Sequence, residues 1–171
     1  SYCRLIAEVA PVDATAPPIR VQLSLPDAWN RRTLMLGGGG YNGTLPNTAG
    51  NVPAGPVDKA DPIGRGYAVF GSDSGHDLAA DPNNPGAFGL NDEALRNFAG
   101  DALKKTRDTA LAVIGHRYRQ VPLRNYFAGG STGGREALAM VQKWPDDVDG
   151  AIVLYPAYSA ASLNLQFGRM T

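Results

Sequence analysis

The sequence predicts an α/β fold with a mixed, mostly parallel sheet and flanking helices. Apolar, β-rich runs recur along the chain, and the later ones are continuous rather than alternating, as in strands that are covered on both faces. Helical patterns separate the last three of these runs. The order strand, helix, strand, helix, strand is typical of a parallel α/β sheet.

Five strands are predicted, and the sheet is expected to begin antiparallel and to continue parallel. They are residues 19–26, 33–37, 67–73, 125–129 and 150–156. Glycine and proline concentrate between residues 37 and 89, and in the segments 37–56 and 79–89 they disfavour helix or central strand, because glycine is too free and proline lacks an N–H donor. We therefore expect long surface loops in this part of the chain.

A long helix is predicted to begin after Asn91 as its N-cap and to end at Gly115. Asp92 and Glu93 suit the positive end of the helix dipole. Apolar and small residues recur on one face at helical spacing, namely Leu95, Phe98, Ala99, Ala102, Thr106, Thr109, Ala110 and Val113. Basic residues are expected to face away from the core, namely Arg96, Lys104, Lys105 and Arg107.

A second helix is predicted directly after the glycines of residues 129–134 and before Pro145. Its apolar side is expected to consist of Ala137, Leu138, Val141 and Trp144. This helix matters for function because it begins where the strand at residues 125–129 ends.

Composition excludes several classes of partner. Sixteen Lys plus Arg balance sixteen Asp plus Glu, so no net field attracts nucleic acid. The densest basic patch, Arg117, Arg119 and Arg124, is interpreted as a solvated helix end and loop. No apolar run approaches the roughly 20 residues that span a bilayer, so no membrane partner is expected. Cys3 is the single cysteine and is expected to be a free buried thiol or half of a bridge to residues outside this sequence.

One motif carries chemistry. Residues 129–133, GGSTG, fit the G-x-S-x-G nucleophile elbow, in which a strained strand-to-helix turn raises a serine hydroxyl above the sheet edge. Ser131 is the predicted nucleophile, and the Thr132 N–H is a predicted oxyanion donor at a helix N-terminus. The alternative is a tight turn with an incidental serine, and the flanking strand and helix favour the functional reading.

A second glycine cluster, LMLGGGGYNG at residues 34–43, also follows a predicted strand. Such a loop can bring a backbone N–H to the same oxyanion, and Gly39 and Gly40 are the candidate donors. The alternative is a phosphate-binding loop. That reading is disfavoured because the G-x-x-x-x-G-K-[ST] spacing is absent and no helix pattern follows.

The order of several segments resembles the tannase and feruloyl esterase family of α/β-hydrolases, which includes mono(2-hydroxyethyl) terephthalate hydrolases. These segments are the quoted glycine motifs, GYAVFGSDSGHD, FAGDALKKTRDTALAVI and the stretch from YFAGG to VLYPA. The resemblance covers nearly the whole chain. It implies that Ser131 forms an acyl-enzyme, with Thr132 and the Gly39–Gly40 loop as the oxyanion hole. It further implies a secreted or periplasmic protein that needs no cofactor, any calcium in the family's lid being structural and outside these residues.

The resemblance also implies that the chain is incomplete. Residues 1–171 are expected to form a single α/β-hydrolase core domain, with a lid insertion beginning after about residue 158. In the family, the aspartate and histidine of the triad follow that lid, so neither they nor the lid and C-terminal part are expected in this chain. Many members also carry a cysteine before the serine, bridged to one beside the catalytic histidine, whereas this chain has Gly130.

The histidines agree with that expectation. His76 and His116 are the only two, and both precede Ser131, whereas α/β-hydrolases run serine, acid, histidine. His116 is interpreted as a helix C-terminal capping residue. His76 is interpreted as a residue that supports the site, with a role as general base as the alternative. Neighbouring aspartates are interpreted as turn and loop residues rather than as triad acid or metal ligands, namely Asp73, Asp77, Asp146, Asp147 and Asp149.

The sequence therefore predicts a serine carboxylic-ester hydrolase, and the resemblance implies esters of aromatic acids such as ferulate, gallate or terephthalate. The expected partners are a small-molecule ester and the remaining part of the protein's own polypeptide. Two alternatives stay open: a non-catalytic module that binds small esters or a partner chain, and an acyltransferase in which an alcohol replaces water as acceptor.

Overall fold

The computed structural model describes residues 1–159, 161–162 and 166. Within those residues, strands and helices succeed one another as β1 (Tyr2–Val9), β2 (Ile19–Pro26), β3 (Arg32–Leu36), β4 (Ala68–Ser72), α1 (Asp92–Arg96), α2 (Ala102–Tyr118), β5 (Arg124–Gly130), α3 (Thr132–Lys143) and β6 (Gly150–Leu154). Short 3₁₀ turns lie at Ile63–Arg65, Ala87–Leu90 and Pro145–Asp147. No helix of this described part is long and apolar enough to cross a membrane.

The strands form one mixed sheet in the order β1-β2-β4-β3-β5-β6. β2 pairs antiparallel with β1 and with β4. β3 pairs parallel with β4 and with β5, and β5 pairs parallel with β6. All five predicted strands and the antiparallel start are confirmed, and the ends of the sheet's parallel strands bring the two glycine clusters to one edge.

β1 was not predicted from the sequence. It pairs with β2 along its length, from Tyr2 opposite Pro26 to Val9 opposite Ile19. It is an edge strand with mostly exposed side chains, and Arg4 and Glu8 interrupt its apolar residues. Cys3 lies on it as a free and exposed thiol, so the expectation of a buried thiol is wrong.

The predicted long helix is interrupted. Asn91 is its N-cap as predicted, because the Asn91 side chain accepts hydrogen bonds from the N–H groups of Glu93 and Ala94. Residues Asn97–Asp101 then form a wide π-type turn with Gly100 at φ 141°, a common cause of a helix kink. The predicted end at Gly115 is wrong, since α2 continues to Tyr118 and ends where Arg119 is left-handed at φ 54°.

The kink also shifts the buried face of the helix. The predicted Ala102, Thr106 and Ala110 are buried, but Leu95 is 46% exposed and Ala99 is exposed as well. The remaining buried positions of α2 are Leu103 and Ile114. An extra residue in a wide turn advances the register by one position, so a single 3.6-residue pattern cannot fit both sides of the kink.

The basic residues of this helix are not simply solvated. Among them, only Arg96 is exposed and forms no ion pair with the described residues. Lys104 Nζ and Arg107 Nη2 lie 2.7 and 3.1 Å from carboxylate oxygens of Asp147, and Lys105 Nζ lies 3.3 Å from Glu93 Oε1. These pairs join α2 to the turn after α3 and to α1.

Two hydrophobic clusters cover the two faces of the sheet. The larger one packs α2 and α3 on one face through residues that include Ile114, Met140 and Phe127. The smaller one, Leu34, Leu36, Val69 and Ala128, is covered from the loop side by residues such as Val52. On α3, Ala137 is buried as predicted, whereas Leu138 is 38% exposed.

The loop after β3 is only partly a surface loop, contrary to the prediction. Asn42, Gly43 and Thr48 are buried within it. The hydroxyl groups of Thr48 and Ser24 are hydrogen-bonded at 2.7 Å, which fastens the loop to β2. Polar side chains buried with partners in this way hold a loop in one conformation.

Candidate active site

Ser131 stands at the abrupt turn between β5 and α3. Its backbone has φ 56° and ψ −121°, a region that non-glycine residues rarely adopt and that costs about 1–3 kcal/mol. A strained residue between a strand and a helix is what the predicted nucleophile elbow requires. The turn is held by the hydrogen bond from Ser131 N–H to the Leu154 carbonyl (3.1 Å) and by those from Arg135 N–H and Ala157 N–H to the Ser131 carbonyl (3.1 and 3.0 Å).

The glycines around Ser131 are required by close backbone contact. A Cβ at Gly129 would lie 2.2 Å from the Gly133 carbonyl oxygen, and a Cβ at Gly133 would lie 2.6 Å from that of Gly38. A Cβ at Gly130 would lie 2.7 Å from the ring of Tyr155. A cysteine at position 130, as the family pattern would have it, therefore has no room unless Tyr155 moves.

The side chain of Ser131 is partly exposed. Within residues 1–159, no side chain is hydrogen-bonded to its hydroxyl, and the structure brings no base to it. The hydroxyl therefore has no activating partner from this part of the chain, as the order of residues in the sequence implied.

Residues Gly37–Asn42, here called the glycine loop, lie against the start of α3. The Gly37 N–H donates to the Ala128 carbonyl (3.0 Å) and the Gly38 N–H donates to Glu136 Oε2 (2.9 Å). Gly39 and Gly40 are exposed, and their N–H groups have no acceptor among the described residues. Of the four glycines, these two are thus the ones whose N–H groups remain available to a ligand.

Thr132 joins the glycine loop to the elbow. Its hydroxyl donates a hydrogen bond to the Gly40 carbonyl. Its N–H, at the first position of α3, has no acceptor in the described part of the chain. Gly40 itself has φ 55°, a left-handed conformation that glycine adopts without penalty. The bond from Thr132 therefore holds the Gly40 end of the glycine loop beside the first residue of α3.

His76 is buried behind the glycine loop. It is 2% exposed and stacks on Phe88 with ring centroids 3.7 Å apart. Its Nε2 lies 2.9 Å from the Tyr41 carbonyl oxygen. Because a carbonyl only accepts, Nε2 carries a proton, and Nδ1 lies 3.5 Å from Ser74 Oγ. Burial lowers the pKa of His76 against the opposing effect of that hydrogen bond and of nearby Asp73 and Asp77.

His76 is thus buried, with Nε2 bound to the backbone of the glycine loop and with no hydrogen bond to Ser131, which fits a supporting residue better than a general base. His116 lies exposed in the last turn of α2, where a histidine interacts favourably with the helix dipole. The structure brings neither histidine into hydrogen-bond contact with Ser131.

The aspartates predicted as turn residues have that role in the structure. Buried Asp73 accepts from the N–H groups of Arg20 and Gly75 and pairs with the Arg20 guanidinium at 2.7 Å. Asp149 accepts from the Asn125 N–H, which lowers the pKa of its carboxyl. In the described ranges, no group of three or more His, Cys, Asp or Glu side chains could hold a metal ion.

The basic patch also has structural partners. Arg117 in the last turn of α2 lies 3.3 Å from Asp27, and Arg124 lies 2.8 Å from Asp149. Arg124 begins β5, so its predicted place in a loop is wrong. Two of the three arginines are thus paired with acids.

Two site residues were missed by sequence reasoning, Glu136 and Asn42. Both are buried, and the Asn42 side-chain amide donates a hydrogen bond to Glu136 Oε1. Burial raises the pKa of the Glu136 carboxyl, although the bonds from Gly38 and Asn42 act in the other direction. The sequence could have indicated Glu136 by its helical spacing, because it lies one turn before Met140 on the buried face of α3.

A separate apolar groove of about 480 Å³ lies on the sheet face away from α2 and α3. It is lined by residues such as Leu34, Val52, Tyr67, Tyr126 and Ile152. Tyr126 lies five residues before Ser131 along β5, so at about 3.3 Å per residue the groove is well removed from the elbow.

The mixed sheet and the strained serine between β5 and α3 define an α/β-hydrolase. The chain belongs to the tannase and feruloyl esterase family, whose sequence profile matches residues 3–171. It is 42% identical, over 96% of its length, to an uncharacterized esterase of Agrobacterium fabrum. It is 31% identical, over 90% of its length, to the mono(2-hydroxyethyl) terephthalate hydrolase of Piscinibacter sakaiensis.

Solved structures agree with this assignment. The crystal structure of feruloyl esterase B from Aspergillus oryzae superimposes on 91% of the chain with a TM-score of 0.76 and 30% identity. The tannin acyl hydrolase of Aspergillus niger has the same fold, with a TM-score of 0.64 at 22% identity. The chain spans 29% and 26% of the length of the two relatives named above and 28% of the feruloyl esterase structure.

Proposed function

We propose that this chain supplies the nucleophile and the oxyanion donors of a serine carboxylic-ester hydrolase, with Ser131 as the residue that forms the acyl-enzyme. One observation carries the proposal: the strained φ of 56° at Ser131, directly before a helix N-terminus. Strain of this kind persists only where surrounding contacts enforce it, and it is concentrated at functional sites. An incidental serine in a turn would have no need of it.

In the proposed reaction, Ser131 Oγ attacks the ester carbonyl carbon while its proton passes to a general base. The negative charge that develops on the carbonyl oxygen is stabilised by the N–H groups of Thr132 and of Gly39 or Gly40. The C–O bond of the ester then breaks, and the alcohol leaves with the proton that the base returns. Water attacks the acyl-enzyme in the same way, which releases the acid and restores Ser131.

The general base is proposed to be a histidine outside residues 1–171, oriented by an aspartate that is also outside them. His76 is unsuitable because it is buried and neither of its ring nitrogens is hydrogen-bonded to Ser131. We also propose the domain division expected from the sequence, in which residues 1–171 are one incomplete core domain and a lid begins after about residue 158.

The proposed substrates are esters of aromatic acids of the feruloyl, galloyl or terephthaloyl type. Support comes from the names of similar proteins, which include feruloyl esterases and a mono(2-hydroxyethyl) terephthalate hydrolase. No cofactor takes part in the proposed reaction. The protein is further proposed to be secreted or periplasmic, which cell fractionation followed by immunoblotting would test.

One observation favours a second candidate, a non-catalytic module that binds small esters or a partner chain. The Ser131 hydroxyl has no base beside it in the described part of the chain, and His76 is hydrogen-bonded to the Tyr41 carbonyl instead. This candidate predicts a Ser131 that is accessible but unreactive.

The two candidates are separated by a fluorophosphonate probe applied to the protein as its gene encodes it. We expect one adduct per molecule, located on Ser131 by peptide mapping and absent from a Ser131→Ala variant. Hydrolysis of methyl ferulate, methyl gallate and mono(2-hydroxyethyl) terephthalate is then compared with that of 4-nitrophenyl butyrate. No adduct and no hydrolysis would overturn the esterase proposal. Transfer to an added alcohol in preference to water would identify an acyltransferase.

A further inference from the structure

Glu136 is a buried acid that the proposed reaction does not use. It is 5% exposed and lies on the second turn of α3. Its Oε2 accepts from the Gly38 N–H at 2.9 Å, and its Oε1 accepts from the Asn42 side-chain amide. Among the residues that the structure describes, no Lys, Arg or His lies within ion-pair distance of its carboxylate.

A carboxyl group at this position is costly for the fold. Burial disfavours its charged form, and hydrogen bonds from two neutral donors only partly offset that. The raised pKa of Glu136 is the expected consequence. The next residue on the same face one turn later, Met140, is a core residue, so an apolar side chain is what this face of the helix otherwise carries.

The two donors that Glu136 binds lie on either side of the exposed part of the glycine loop. Gly38 immediately precedes Gly39, and Asn42 follows Gly40 by two residues. Glu136 therefore brackets the two N–H groups that have no acceptor in the described chain. The loop also packs tightly against Asn42, since a Cβ at Gly38 would lie 2.6 Å from Asn42 Oδ1.

The same helix that carries Glu136 begins at the nucleophile. Ser131 immediately precedes α3, and the Arg135 N–H donates to the Ser131 carbonyl, so residues 131–136 form one rigid turn. A bond from Glu136 to the glycine loop thus fixes the loop relative to Ser131. The hydroxyl of Thr132 adds one further bond to the loop, at the Gly40 carbonyl.

We propose that Glu136 is a positioning residue that clamps Gly38 and Asn42 and so holds the N–H groups of Gly39 and Gly40 at a fixed place relative to Ser131 Oγ. The inference rests on the proposed function, since only an oxyanion site needs donors placed at 2.7–3.1 Å from a developing charge. Removing the clamp frees the loop at both ends of its exposed part. Misplacement of donors by about 1 Å is expected to lower kcat about 10²-fold.

Two substitutions separate the clamp from simple packing. Glu136→Met has a similar length but no acceptor, and we expect it to lower kcat about 10²-fold with little change in KM. Glu136→Gln keeps an acceptor for the Gly38 N–H. If the Asn42 side-chain amide rotates by 180°, the new glutamine amide can donate to Asn42 Oδ1, which is a buried atom without a partner in the described structure. Glu136→Gln is therefore expected to keep kcat within roughly tenfold of wild type.

An exchange of groups tests the pairing directly. Asn42→Asp alone places two carboxyl groups against each other and is expected to lower kcat about as much as Glu136→Met. The double variant Asn42→Asp/Glu136→Gln restores one acceptor and one donor across the contact. We expect its kcat to recover by at least tenfold over Asn42→Asp, a non-additivity that independent structural damage would not produce.

Met140→Ala is the matched control, because it creates a cavity one turn along the same buried face without touching the glycine loop. It is expected to lower the free energy of unfolding while leaving kcat per folded molecule unchanged. The assay is kcat and KM for one ester, with thermal unfolding of each variant. A Glu136→Met variant that keeps wild-type kcat, or a double variant no better than Asn42→Asp, would overturn the clamp alone. A wild type that neither hydrolyses esters nor labels on Ser131 would overturn the proposed function, and the clamp with it.

Discussion

The close approach of Gly129 to Gly133 makes Gly129→Ala the sharpest test of the elbow. The added methyl group would lie 2.2 Å from the Gly133 carbonyl oxygen, 2.3 Å from its carbon and 2.8 Å from the Gly133 Cα. Non-bonded carbon atoms are ordinarily about 3.5–4.0 Å apart, so the start of α3 has to retreat from β5 by roughly 1 Å. We expect a loss of at least about 1–3 kcal/mol in the free energy of unfolding and a loss of about 10² in the rate of fluorophosphonate labelling at Ser131.

Gly115→Ala is the control for that substitution. Gly115 lies inside α2, and a Cβ there meets no atom within 4 Å. The alanine is expected to raise the free energy of unfolding by about 0.5–1 kcal/mol, because it lowers the entropy of the unfolded chain. Urea unfolding of both variants provides the comparison. If Gly129→Ala unfolds with wild-type free energy and labels at the wild-type rate, the reasoning from backbone contact is refuted.

Three further outcomes are expected. Burial lowers the pKa of His76 below 6.5, so the unfolded chain binds a proton more readily than the folded chain does. The free energy of unfolding therefore falls as the pH drops through about 6.5. Urea unfolding at about pH 7 and about pH 5 should show a smaller fall for His76→Gln than for wild type. Asp73→Ala leaves the N–H groups of Arg20 and Gly75 without their acceptor. Urea unfolding should show that it lowers the free energy of unfolding by about 2–3 kcal/mol. A decrease below about 0.5 kcal/mol would contradict the role of Asp73 as their acceptor. Cys3 is exposed and should react with a thiol reagent in the folded protein without loss of stability, as peptide mapping would show; protection until denaturant is added would contradict its place on the edge strand.

The predicted and observed folds differ where local pattern and tertiary contact conflict. The strand at Ile19–Pro26 was predictable because its apolar residues alternate along one buried face. β1 was not predicted, because Arg4 and Glu8 interrupt its apolar residues and most of its side chains are exposed at the edge of the sheet. The kink at Gly100 misled the assignment of the helix face, since the sequence shows a glycine but not whether the chain turns left-handed there.

The candidate site shows the same division. Ser131, Thr132 and the Gly39–Gly40 pair could be proposed from sequence because an elbow and its donor loop need small residues at fixed spacing. Glu136 and Asn42 could not be paired from sequence, because 94 residues separate them along the chain. Their hydrogen bond exists only because parallel pairing of β3 with β5 brings the ends of both strands to one edge.

The sequence by itself determined the strand and helix order of the parallel part, the nucleophile candidate and the position of both histidines of these 171 residues before Ser131. These are properties of local spacing and of residue order, which the chain carries whether or not it is folded. Only the tertiary structure decided that His76 is buried and bound to the Tyr41 carbonyl. It likewise decided that the Gly39 and Gly40 N–H groups have no acceptor among the described residues, and that a buried carboxyl binds their loop. Burial and hydrogen-bond partners arise from contacts between distant residues, and no local pattern specifies them.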